Sequence, residues 1–178
     1  MNPAKRITRA GFTLIELLIV MAIILVIAAI LVPSLLKTKM SANESATTGT
    51  LHTLAIAEAS YVNLFPERGF SPGLRALGAG GSIGRGPNGT PTPAAACILD
   101  EGMVEQLAQT DGENGYRFVY TPVPVTGGEK NVGFTIVAQP VSMNQTGRRA
   151  YYVDEGNTIH VGAVGATTAG LADPVLGK

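Results

Sequence analysis

Twenty-five consecutive residues, Phe12 to Leu36, are apolar or uncharged with the single exception of Glu16. No other stretch restricts the possible folds of this chain so strongly. At about 1.5 Å of rise per residue they make a helix of roughly 37 Å, longer than the ~30 Å hydrocarbon core of a bilayer. Lys5, Arg6 and Arg9 precede the run, so the N-terminal side is expected to stay cytoplasmic while the rest is exported. Lys37 and Lys39 follow it and weaken that asymmetry without cancelling it. A secretory signal peptide carries its small-residue cleavage site after the apolar core, whereas Ala10-Gly11 lies ahead of it here. A carboxylate deep in a bilayer costs on the order of 2.5–3.5 kcal/mol, so Glu16 calls for a purpose.

Gly11-Phe12-Thr13-Leu14-Ile15-Glu16, set between a short basic leader and a long apolar helix, resembles the type IV prepilin signature. That family includes type IV pilins and the pseudopilins of type II secretion. Pro33 resembles the proline that many pilins carry within this helix, and the likeness is close from Lys5 to Ser60. The resemblance implies that a prepilin peptidase cuts between Gly11 and Phe12 and methylates the new Phe12 amine. Subunits then wait in the inner membrane, held by lipid, until an assembly platform extracts them into a helical homo-oligomeric filament. In the filament core Glu16 would pair with the Phe12 amine of a neighbour. Buried pairs add little net stability, and setting register is their best-attested use.

The expected architecture is α+β, a long N-terminal helix packed on a small antiparallel sheet. Residues 1–11 form the leader, 12–36 the transmembrane and filament-core helix, and 37–65 the amphipathic half of the same helix. Residues 66–93 form a Gly/Pro-rich loop, and 94–178 a globular head. Pro33 lacks an amide hydrogen and crowds the preceding turn, so a kink or local unwinding is expected near Ala29–Pro33. Beyond it Met40, Leu51, Leu54, Ala55, Tyr61, Val62 and Phe65 recur on one helical face, with Asn43, Glu44, Thr47 and Glu58 assigned elsewhere. The spacing predicts a helix to about Leu64, ending before Pro66. Ala94 to Gln109 reads as a short helix that buries Cys97.

Four short segments rich in β-branched and aromatic residues follow: Tyr116–Tyr120, Gly133–Ala138, Arg149–Val153 and Thr158–Val161. Gly127-Gly128, Asn144–Gly147 and Glu155-Gly156-Asn157 punctuate them, giving an antiparallel meander of three or four strands. Gly162 to Lys178 reads as a flexible surface tail. With one cysteine, the chain cannot close the C-terminal disulfide of many pilins, so something else must hold that region.

Other chemistries find little support. The chain has 13 basic and 13 acidic side chains; without Lys5, Arg6 and Arg9 ten basic remain, for a net −3. That balance gives no electrostatic case for nucleic acid as a partner, and Arg148-Arg149 is the only feature favouring a minor pilin in DNA uptake. A signal-anchored enzyme would need a polar constellation in the β region. Cys97, His52 and His160 at wide spacing supply neither a nucleophile–base pair nor a metal set, so no catalytic residue and no cofactor are assigned. Gly84 to Gly89 spells G-x-G-x-x-G without the strand and helix a phosphate site requires. The sequons at Asn43, Asn88 and Asn144 are read as chance. Asp154 and Glu155 are weak calcium candidates, a solvated turn being the preferred reading. The expected function is a structural subunit of a pilus-like filament, with a type II secretion pseudopilin as the alternative.

Overall fold

A computed structural model describes residues 11–79, 89–109 and 112–177. Helix α1 runs Leu14–Leu64, α2 Leu74–Leu77 and α3 Glu101–Ala108, followed by strands β1 Tyr116–Pro124, β2 Asn131–Pro140, β3 Tyr151–Asp154 and β4 His160–Val161. The chain divides into two units, Met1–Thr38 and Lys39–Lys178, and α1 contributes to both.

In the first unit α1 buries nothing. Leu14, Leu25, Ile30 and Leu35 are each about 70–80% exposed or close to it, and every other large apolar side chain from Phe12 to Leu36 is exposed as well. The helical assignment passes through Pro33.

In the second unit α1 acquires a buried stripe: Met40, Thr47, Thr50, Leu51, Leu54, Ala55, Ala57, Glu58 and Tyr61. The helix ends at Leu64, and Pro66, which cannot donate to the ladder, lies just beyond. The sheet is a meander of order β1-β2-β3-β4 with every pairing antiparallel. Its register places Phe118 opposite Ala138, Ile136 opposite Val153, and Tyr151 opposite Val161. Alternation turns these side chains to one face, where they share a core with Leu51, Leu54 and Tyr61 of α1. Pro122 and Pro124 sit in β1, a sheet edge where a missing amide costs no ladder bond.

Four expectations are corrected. The 94–109 helix is only Glu101–Ala108, started by Asp100, whose side chain accepts from the Gly102 amide at 2.9 Å. Cys97 lies outside it, exposed and at φ +56°. Its amide donates to Gly78 O at 3.0 Å, so the backbone and not the thiol is what packs there. The 66–93 stretch is not wholly a surface loop, because Ser71, Leu74, Ala76 and Leu77 are buried and α2 forms within it. The C-terminal segment is not a free tail. Val161 N donates to Pro174 O and Leu176 N to Ile159 O, both at 2.8 Å, and His160 bridges Val175. His160 Nδ1, 2.7 Å from Asp173 O, carries a proton toward that carbonyl. Backbone pairing along β4 therefore holds the C-terminal region in place.

Candidate functional site

The site begins at the start of α1. Gly11, Phe12 and Thr13 precede the helix in no regular structure. Phe12 is 77% exposed, and a Cβ at Gly11 would meet no atom within 4 Å, so this peptide bond stands clear of the fold. Thr13 is the N-cap: the Glu16 amide donates to its Oγ1 at 3.3 Å, satisfying one of the helix's orphan donors. Thr13 Oγ1 in turn donates to Glu16 Oε2 at 3.3 Å. The T-x-x-E spacing is that of a capping box, with the carboxylate meeting the cap hydroxyl. Glu16 thus lies in the first turn, where negative charge complements the helix dipole.

Unpartnered apolar surface on such a scale is unstable in water and must be covered by lipid or by other helices. By length and hydropathy α1 suffices to cross a bilayer, and no residue of its most apolar window is buried.

At the other end of α1, polar side chains fasten the head. Asn43 Nδ2 donates to Thr146 O at 2.8 Å, and Glu44 Oε1 accepts the Arg148 amide at 2.8 Å with Arg148 Nε 3.8 Å away. Tyr61 OH donates to Pro93 O at 2.7 Å. Glu58 is fully buried and binds Ser71. Asn43, Glu44, Thr47 and Glu58, expected away from the packed face, all engage or enter it. For Thr47 and Glu58 the signal was present: Thr47, Leu51, Leu54, Glu58 and Tyr61 follow one another at the alternating three- and four-residue spacing of a single stripe.

The remaining candidates are dispersed among separate elements. Asp154 Oδ1 accepts the Gly156 amide at 3.0 Å and Oδ2 the Tyr152 hydroxyl at 3.3 Å, as in a turn, while Glu155 is exposed. Among the described residues no three metal-ligating side chains gather. His52 is exposed on α1, and His160 is buried in β4. Arg148 is engaged with Glu44, and Arg149 is exposed. Of the sequon asparagines, Asn43 is bonded to Thr146 O and Asn144 holds a turn at φ +62°. Asn88, most of the G-x-G-x-x-G stretch and leader residues 1–10 lie outside the described residues. Burial raises the Tyr116 and Tyr120 phenols and pushes Tyr151 up to about 12, so all three stay neutral donors under ordinary conditions.

An exposed Gly-Phe junction, a capped helix start holding a lone carboxylate, and an exposed apolar stretch as far as Leu36 are the features in which the chain is similar to type IV pilins. The prokaryotic N-terminal methylation motif matches residues 6–32. The type IV major pilin protein of Myxococcus xanthus is 34% identical over 116 residues, covering 56% of this chain and 51% of that protein. The type IV wide pilus major component of Thermus thermophilus is 55% identical over 42 residues, 24% of this chain and 32% of that protein. The chain therefore spans about half and a third of the lengths of these two relatives. No solved structure matches it.

Proposed function

We propose that the chain is a structural subunit of a type IV pilus filament, cleaved after Gly11 and N-methylated at Phe12. The observation that carries this reading is the register of Gly11, Phe12 and Glu16 at the head of a helix whose large apolar side chains as far as Leu36 are all exposed. Before assembly lipid covers that surface, with the N-terminus on the cytoplasmic side of the inner membrane. After assembly, the helices of neighbouring copies cover it. Glu16 would then meet the Phe12 amine of an adjacent copy, and any other axial stagger would leave a charge unpaired in an apolar core. The partners are other copies of the chain, a prepilin peptidase and an inner-membrane assembly platform. Both relatives are named as major components of type IV pili, which favours a pilus over a secretion pseudopilus.

Intact mass and N-terminal peptide mapping of protein from native membranes and sheared filaments test this. A chain that begins at N-methylated Phe12 and is abundant in the sheared fraction is expected. The same processed chain confined to the membrane fraction would favour the pseudopilin, and a chain still carrying its leader in the presence of the peptidase would overturn the filament reading.

A further inference from the structure

The two edges of the sheet are finished differently. Along β4 the C-terminal segment closes the edge, with Val161 N donating to Pro174 O and Leu176 N to Ile159 O. On its outer side β1 has no strand. At its start Tyr116 N donates to Glu113 O and Glu113 N to Tyr116 O, both at 2.9 Å, while Gly115 O accepts from Val141 N just past the end of β2. Tyr116 therefore turns its amide and carbonyl outward, and strand alternation turns those of Phe118 and Tyr120 the same way. Neither amide has a backbone acceptor outside the sheet ladder among the described residues. Pro122 keeps the same register and has no amide to offer, and the pairing register shifts between Val123 and Pro124. Two outward donors, at Phe118 and Tyr120, are thus left between a turn and a proline.

An open groove of about 760 Å³ adjoins Phe118 and Tyr120, a size typical of ligand sites. The buried side chains of Leu74, Leu107 and Phe118 give it an apolar lining. The wall from Pro72 to Ala76 is fixed at both ends. Before it, Glu58 accepts the amide and the hydroxyl of Ser71, and Asn131 Nδ2 donates to Ser71 O at 3.0 Å. After it, Ala96 N donates to Ala76 O at 2.8 Å, and Ile98 N and Leu99 N both donate to Leu77 O at 2.9 Å. A groove preformed in this way demands little ordering when something enters it. Arg75 stands exposed on that wall and makes no ion pair among the described residues. Arg117, also at the groove, is already engaged within the chain. Glu101 and Glu105 share a neighbouring hollow with Arg75 but do not line the groove.

We propose that this groove docks an extended peptide of another protein. Its backbone adds a short strand to β1 at Phe118–Tyr120, an apolar side chain enters the groove, and an aspartate or glutamate meets Arg75. Strand addition draws affinity from main-chain bonds and specificity from pockets beside the edge, and β1 offers both. The Arg75 guanidinium presents paired donors that match a carboxylate. A second copy of this chain does not supply the strand. Pairing β1 with β1 is isologous and sets the same cationic rim against itself. The β4 edge of another copy is closed by its own C-terminal segment, so β1-to-β4 pairing is blocked. The docking site does not depend on the filament reading, since every group in it belongs to the Lys39–Lys178 unit.

Fluorescence anisotropy on the full chain in detergent micelles tests the site. The probes are short labelled peptides with a central aspartate among valine, isoleucine and threonine. Saturable binding, absent from empty micelles, is expected. N-methylating one set of alternate peptide amides blocks pairing with β1 and should weaken binding about tenfold or more, whereas methylating the other set should not. That comparison leaves the protein unaltered. Asparagine in place of the aspartate should weaken binding several-fold in the unmodified chain and change nothing in Arg75→Gln, an exposed substitution. Hydrogen exchange at the Phe118 and Tyr120 amides should slow on binding. The proposal is overturned by the absence of saturable binding or by equal effects of the two methylated sets. It is equally overturned by an asparagine effect that is missing from the unmodified chain or persists in Arg75→Gln. Self-association that protects the same two amides without peptide would place a second copy there and refute it as well.

Discussion

Thr13 and Glu16 show how two residues can serve the chain twice. The hydroxyl of Thr13 ends the backbone's exposure at the helix start, and the same hydroxyl orients the Glu16 carboxylate. Thr13→Ala should cost the helix start about 1 kcal/mol. It is read as several-fold faster hydrogen exchange at Glu16 with exchange in the Lys39–Lys178 unit unchanged. Gly69 is a different case, because its φ of +69° and the Asn131 carbonyl against its Cα leave no room for a side chain. Gly69→Ala should destabilise the chain by roughly 1–3 kcal/mol or more. Gly127→Ala, at φ +79° but facing open space, pays only the backbone strain and should cost less. Denaturant midpoints of the two variants in micelles give the comparison; equal losses would mean that the contact with Asn131 does not matter. Single residues were also where the sequence was hardest to read. Glu58 occupies a core position by spacing, but its acceptability there rests on Ser71, supplied from beyond the helix end by a stretch with no periodicity of its own.

The elements with a strong internal pattern were the legible ones. The end of α1 at Leu64 and the four-strand meander follow from apolar spacing and turn residues, which act locally. Cys97 and the C-terminal segment were misread because their conformations depend on distant backbone partners: Gly78 for the one, β4 for the other. That C-terminal pairing has a consequence. It covers the outer side of β4, a strand of two residues that would otherwise present free amides and carbonyls. Ending the chain after Gly170 removes the bonds from Val161 N to Pro174 O, Leu176 N to Ile159 O, and His160 Nδ1 to Asp173 O. At about 1 kcal/mol net for each, the loss should be roughly 3 kcal/mol, with new edge-to-edge association at high concentration. Thermal melting together with light scattering measures both effects. An unchanged melting temperature would mean that the segment merely rests on the sheet.

For the whole molecule, exposure separates two kinds of stability. Residues Lys39–Lys178 enclose a core around Leu51, Leu54, Tyr61, Tyr116, Phe134 and Ile136, whereas Met1–Thr38 contributes no described buried side chain. The first unit is stable only in the company of something apolar, and the second holds its own core. The N-terminal signature was legible because it is written in consecutive residues. The fastening of the head to α1 was not, because Asn43 and Glu44 find their partners about a hundred residues later. A chain consisting of residues 39–178 should therefore be soluble without detergent. It should keep its Asn43–Thr146 and Glu44–Arg148 contacts and melt cooperatively near the temperature of the full chain in micelles. The full chain, stripped of detergent, should associate through Phe12–Leu36 under the same conditions. Size-exclusion chromatography and circular dichroism of the two proteins make the test. A short chain that is unfolded would mean that the head draws its stability from the apolar half of α1. One that is folded but associates like the full chain would place the sticky surface on the head instead.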